Sequence, residues 1–208
     1  MCGRYLIDEE VYSDMWLALN SEFGIRNSEL RVDARSVASG RQEVFPTNIA
    51  PVITHDGAAG IGVYGYKWGF PHWKGAGVII NARAETALER KMFCKPLLER
   101  RCVIPSSGFF EWSRAGGKDK KNKFLLRRPG ERMLFMAGMV NLFQDAAGCE
   151  YSAFVILTTA ANDSVAPIHD RMPVILAQDE RDHWLNDNRF MEHALHRPGP
   201  ELLPQMVD

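Results

Sequence analysis

Residues 102–112 read Cys-Val-Ile-Pro-Ser-Ser-Gly-Phe-Phe-Glu-Trp, an apolar run without helical period, and its reading as a strand decides the fold. Similar runs flank it on both sides. Upstream lie Cys2 to Ile7, Ala50 to Thr54, Gly60 to Trp68 and Gly77 to Ala84; downstream lie Lys123 to Arg127, Met133 to Val140 and Tyr151 to Thr159. Helical spacing is scarcer. Val11, Met15 and Leu19 recur every fourth residue after Asp8, Glu85 to Arg100 is a helix candidate broken by Pro96, and Asp179 to Asn186 is a third. Gly24 to Val44 reads as a long loop ending at the Pro46-Thr47-Asn48 turn, and Gly116 to Lys123 as an exposed hairpin tip. Many strands, few helices and short turn-rich links predict an α+β fold, with antiparallel strands curling into a barrel or sandwich. The 208 residues, 46% of them hydrophobic, suit one domain with one sizeable core, expected to span 1–208.

Formal net charge is only −1, but the charge is segregated: between Lys67 and Arg132 there are 16 Lys and Arg against 6 Asp and Glu, leaving 9 against 20 elsewhere. Such a block is either a solvated face or the footprint of a polyanion. The segment Lys67-Trp68-Gly69-Phe70-Pro71-His72-Trp73-Lys74 interleaves cations with aromatics. That mixture suits single-stranded nucleic acid, or a loop that caps a core. Cys2, Cys94, Cys102 and Cys149 are scattered without Cys-x-x-Cys or His at ligand spacing, so no zinc site and no cofactor are expected. No window reaches the apolar length of a membrane span, and the N-terminus lacks a signal core. A soluble, cytosolic, reducing setting is the expectation, in which thiols stay free.

Four residues carry the chemistry. Cys2 follows the initiator Met1, and its small side chain permits Met1 removal, which would expose an α-amine beside a thiol. An amine condenses with an aldehyde to an imine, and the neighbouring thiol then closes a five-membered thiazolidine ring. The other reading of Cys2 is a small buried hydrophobe. In Asn81-Ala82-Arg83-Ala84-Glu85 period-two alternation puts Asn81, Arg83 and Glu85 on one face. Arg83 would grip a phosphate there, or simply pair with Glu85. Glu111, among Phe109, Phe110 and Trp112, is a desolvated proton shuttle if it faces inward and an ordinary strand-edge carboxylate if it does not. Trp112 would stack on a base or join the core. His169 sits between Pro167 and Pro173, placed to exchange protons from a fixed loop, or to pair with Asp170 at the surface.

Met1-Cys2-Gly3-Arg4, Asn48 in Pro-Thr-Asn-Ile-Ala-Pro, Trp68-Gly69, Asn81 to Thr86, Gly108 to Trp112 and His169-Asp170-Arg171-Met172-Pro173 stand in one order over most of the chain. Together they resemble the SOS response-associated peptidase (SRAP) family. The resemblance implies a compact α+β domain and recognition of abasic sites in single-stranded DNA, with a covalent cross-link through Cys2. It implies catalytic roles for Cys2, Asn81, Glu111 and His169. Arg4, Asn48, Trp68, Arg83 and Arg171 would bind DNA or hold the site, joined by Trp112 and by Arg90 at a phosphate. Minor lyase activity by β-elimination and self-removal of Met1 are further expectations, as are a monomeric state and abasic single-stranded DNA as partner. The family's C-terminal Pro-Val-Ser and Val-Asn-Asn elements do not occur between His196 and Asp208. Two rival readings remain: an N-terminal-nucleophile amidotransferase or hydrolase, which also begins Met-Cys-Gly, and a noncatalytic nucleic-acid-binding module.

Overall fold

The structure is a computed structural model describing residues 2–8, 42–55, 60–72, 75–113 and 122–207. The expected helix at Val11, Met15 and Leu19, most of the loop from Gly24, Trp73 and Lys74, and residues 116–121 of the expected tip fall outside those residues, while Asn122 and Lys123 open a strand. Along the chain run β1 (Tyr5–Ile7), β2 (Gln42–Val44), β3 (Ile49–His55), β4 (Ile61–Trp68), β5 (Phe70–Pro71), β6 (Val78–Ile79) and β7 (Asn81–Arg83). A 3-10 turn (Ala84–Glu89) leads into α1 (Lys91–Glu99), followed by β8 (Arg101–Ser106), β9 (Gly108–Ser113), β10 (Asn122–Arg127), β11 (Leu134–Gln144) and β12 (Glu150–Ala160). The last elements are β13 (Arg171–Pro173), β14 (Ile175–Leu176), α2 (Arg181–Asn186), α3 (Asn188–His196) and β15 (Leu203–Val207).

Five strands close on themselves. β3 pairs with β4 and β8, β8 with β11, β11 with β12, and β12 in parallel with β4 at Ala153 and Phe154. The barrel expected from the strand-rich sequence is therefore present, with one parallel seam in an otherwise antiparallel ring. Gly138 lies where β11 pairs with β8 and β12 together. A Cβ there would stand 2.4 Å from Ile104 Cδ1 and 2.6 Å from the Val155 carbonyl oxygen, closer than packed atoms tolerate.

A second sheet, ordered β15-β10-β9-β1-β2 and antiparallel throughout, packs on the ring. The run 102–112 is two strands, because the chain turns out of the ring between Ser106 and Gly108. Gly108 adopts φ +154°, and a Cβ on it would meet the Leu126 carbonyl at 2.6 Å. Alternation sorts the sheet's two faces. Tyr5, Ile7 and Phe109 join the ring's Val52, Cys102 and Phe154 in one core, while Leu6, Phe110 and Leu125 pack on the opposite face. Glu111, two residues beyond Phe109, is carried inward with it and is 3% exposed.

The remaining ring face packs on helices through Val103, Ala137, Val155, Leu97, Trp184 and Leu195. Arg101 fastens them. Its buried guanidinium donates to the carbonyls of Leu97 and Leu98 at the end of α1, to those of Trp184 and Leu185 at the end of α2, and to Asn188 Oδ1. These carbonyls have no partner within their own helices, so one cation satisfies both C-termini.

The expected loop through Val44 ends instead in β2, which borrows its regularity from β1 (Tyr5↔Val44). Pro96 does not break α1. The helix runs to Glu99, with Pro96 and Leu97 buried, so packing outweighs the one lost hydrogen bond. Near the C-terminus β15 pairs with β10 over Lys123↔Val207 to Arg127↔Leu203.

Candidate active site

Ahead of β1, Cys2 is wholly buried in the core shared by the ring and the second sheet. Its thiol lies 3.8 Å from the Arg4 carbonyl oxygen, to which it donates. Burial, reinforced by the nearby Glu111 charge, pushes the Cys2 pKa well above that of an ordinary thiol. β7 brings in Asn81 by pairing in parallel with β12 (Asn81↔Ile156). Asn81 Nδ2 donates to the Cys2 carbonyl oxygen at 2.9 Å. Its Oδ1 is buried without a hydrogen-bond partner among the described residues, an acceptor left facing the site.

Glu111 enters from β9. Burial is the main cause of its raised pKa, and the His169 charge opposes the rise. A buried carboxyl of this kind exchanges protons more readily near neutrality than an exposed one. His169 follows β12 on a turn fixed by main-chain bonds from His169 N to Val165 O (3.0 Å) and from Ala161 N to Asp170 O (3.0 Å). Its Nδ1 stands 3.0 Å from the Arg171 N–H and 2.9 Å from Asp170 Oδ1. One nitrogen cannot accept from the first and donate to the second in the same protonation state. The main-chain donor is fixed whereas Asp170 is 87% exposed, so the neutral ring carries its proton on Nε2. Cys2, Asn81, Glu111 and His169 are thus gathered from four distant parts of the chain.

The residues expected around them divide into those with internal partners and those without. Trp68 is 0% exposed, stacked against Phe154 and tilted onto Tyr5, with Nε1 donating to the Ile80 carbonyl at 3.0 Å. Of its two expected roles, burial removes contact with DNA and leaves support of the site. Asn48 Oδ1 accepts from Phe45 N at 2.9 Å and holds the turn in which Thr47 has φ 74°. Arg4 pairs with Glu43 at 2.9 Å and lies over the rings of Phe45 and Trp112; half-buried Trp112 faces this cation.

Arg83 does not pair with Glu85. The strand ends at Arg83, and the 3-10 turn swings Glu85 toward Arg171, which grips it through two bonds of 2.6 and 2.8 Å. Those bonds hold the Glu85 carboxyl below the usual range. Arg171 therefore braces the 3-10 turn against β13. Arg83 and Arg90 remain exposed, and neither side chain has a hydrogen bond or ion pair among the described residues. They share a cavity of about 730 Å³ with Asn81.

Two groups escaped the sequence reading. Glu43 receives both Arg4 and Lys123 (2.7 Å), but nothing local in a presumed loop marks it. The Tyr5 hydroxyl is buried without a partner among the described residues, and the signal that could have placed it inside is its period-two relation to Ile7 on β1. Among the described residues no group of three or more His, Cys, Asp or Glu is arranged to hold a metal, and no helix is long and apolar enough to cross a membrane.

A strand ring that buries the second residue as a cysteine, holds its carbonyl through an asparagine and sets a desolvated carboxyl beside it defines a class of strand-ring proteins with a cysteine site next to the first residue. The sequence profile of the SOS response associated peptidase (SRAP) family matches residues 1–203, and the chain belongs to that family. Among its relatives, the abasic site processing protein YoqW of Bacillus subtilis is 32% identical over 194 residues, 89% of this chain and 80% of that protein. YoaM of the same organism, also an abasic site processing protein, is 38% identical over 125 residues. That match takes in 58% of this chain and 55% of YoaM, about half of each. A crystal structure of a protein from Bacteroides thetaiotaomicron superposes with a TM-score of 0.78 at 23% identity, covering 100% of this chain and 92% of the other, a likeness of fold.

Proposed function

We propose that this chain processes abasic sites in single-stranded DNA by forming a covalent cross-link through Cys2. The observation that carries the reading is the 2.9 Å bond from Asn81 to the Cys2 carbonyl, which fixes the residue's main chain beside Glu111. Hydrolysis of the Met1–Cys2 peptide bond frees the α-amine. The amine adds to the aldehyde carbon of the ring-opened abasic sugar, and loss of water gives an imine. The Cys2 sulfur then attacks the imine carbon while its proton passes to the nitrogen, closing a thiazolidine.

The buried thiol resists ionisation, so a base must take its proton as the C–S bond forms. Glu111, raised by burial, is the group suited to that transfer and to ring opening of the sugar. His169, with its proton on Nε2, serves protonation at the imine and reversal of the cross-link, and the free Asn81 Oδ1 orients the amine or the sugar hydroxyl. Abstraction of a proton from the sugar C2′ at the imine stage would expel the 3′ phosphate, a minor lyase outcome. Arg4, Arg83, Arg90 and Trp112 are proposed to meet the DNA strand, and Asn48, Trp68 and Arg171 to hold the frame.

Protein verified by intact mass to lack Met1 is expected to give a heat-stable adduct with single-stranded DNA bearing one abasic site. Cys2→Ala should give none. Absence of adduct with the processed wild type would overturn the proposal, and equal adduct from Cys2→Ala would assign the chemistry elsewhere. A noncatalytic binding module would bind the same DNA without a covalent product.

A further inference from the structure

The cavity beside Asn81 has features that the cross-linking chemistry does not use. Its walls include Ile79, Met92 and Phe93, and its rim carries Arg83, Arg90 and Lys91. All three wall side chains are only partly buried, so apolar surface faces the opening. Phe93 is braced from behind by Phe70, with ring centroids 6.2 Å apart. The volume, about 730 Å³, falls in the range of roughly 300–1,000 Å³ common for ligand pockets.

The cations are placed against local preference. Arg90 is the N-cap of α1 and Lys91 its first residue, with no acidic residue in the first turn, although the positive end of a helix disfavours positive side chains. Neither these two nor Arg83 has an ion pair among the described residues. Glu85 is engaged by Arg171, which leaves exposed Glu89 as the nearby carboxylate. Unpaired cations kept where the helix opposes them favour an anion from outside, and a slot of aromatic, sulfur and aliphatic groups behind them favours a flat apolar face. A nucleotide joins those two chemistries. Continuity with the reaction site comes through Asn81, which lines the cavity and binds the Cys2 carbonyl.

We infer that the slot between β6, β7 and the first turn of α1 receives the nucleobase next to the abasic sugar, stacked on Phe93 and Met92, with its phosphate at Arg83, Arg90 and Lys91. This inference rests on the proposed function, and its test separates the two. Three single-stranded oligonucleotides would carry one abasic site with normal neighbours, with a base-free tetrahydrofuran residue on the 5′ side, or with one on the 3′ side. The tetrahydrofuran keeps the phosphate and has no aldehyde, so the half-saturating protein concentration for adduct formation reads the missing base alone.

Loss of the base on one side should raise that concentration roughly tenfold, within the span of base–aromatic stacking, with little change on the other side. Met92→Ala should bring the ratio close to one. Phe93→Leu, which preserves the packing on Phe70, provides a second variant should Met92→Ala melt early. Adduct formation with equal half-saturation on all three oligonucleotides overturns the slot and leaves the cross-linking chemistry standing. Absence of adduct on every oligonucleotide overturns both.

Discussion

Burial lifts the pKa of Glu111, and the direction has a thermodynamic consequence. A carboxyl raised in the folded state binds more protons there than when unfolded, so stability falls as pH climbs from the unfolded pKa through the folded one. Glu111→Gln removes the ionisable group while keeping its shape. Its melting temperature should match the wild type near about pH 4 and exceed it by a few degrees above neutrality, measured by thermal unfolding across pH. The same variant should cross-link about 100-fold more slowly, the scale of general acid–base assistance; a variant that is stabilised but reacts at the wild-type rate would remove Glu111 from the mechanism. Asn81→Ala should slow adduct formation by a similar order while leaving thermal stability within about 1 kcal/mol, because a half-buried hydrogen bond is lost but the thiol remains.

Arg101 shows how one side chain defines several elements. Removing it strands the C-terminal carbonyls of α1 and α2 together, so Arg101→Met should destabilise the protein by roughly 3–5 kcal/mol, readable by urea unfolding. A loss under about 1 kcal/mol would mean that solvent caps those helices as well as the guanidinium does. The elements also show what was legible beforehand. Alternation sufficed to set Asn81 and Arg83 on one side of β7, because period two is a property of the strand itself, whereas whether Glu111 faced inward stayed open until the second sheet was seen to pack on the ring. Whether Trp68 met DNA or held the site stayed open, because interleaved cations and aromatics do not reveal which ring faces the core. The Glu85–Arg171 pair joins residues 86 positions apart, and β2 is regular only because β1 lies beside it. The wider strand pattern emerged, with the short strands β5, β13, β14 and β15 unseen. Contacts assembled over such distances leave no local period to read.

Across the whole molecule, the basic block is smaller than its count of charges suggests. Arg101 is consumed by carbonyls, Lys123 by Glu43, Arg128 by Glu131 and Arg100 by Asn141. Among the described residues of the block, Arg83, Arg90 and Lys91 are exposed, have no ion pair and line one cavity. Affinity for single-stranded DNA should therefore fall with salt less steeply than sixteen contacts would require, and replacing Arg83, Arg90 and Lys91 with alanine should lessen the logarithmic slope by about 2. Fluorescence anisotropy over a salt series measures it; an unchanged slope would place the phosphates elsewhere. Finally, the Asn81 bond grips a main-chain oxygen, which an alanine at position 2 supplies as well as a cysteine. Docking and reaction are thereby separable, so Cys2→Ala should occupy lesions it cannot seal, and cells carrying both versions should behave as though poisoned by the inert one.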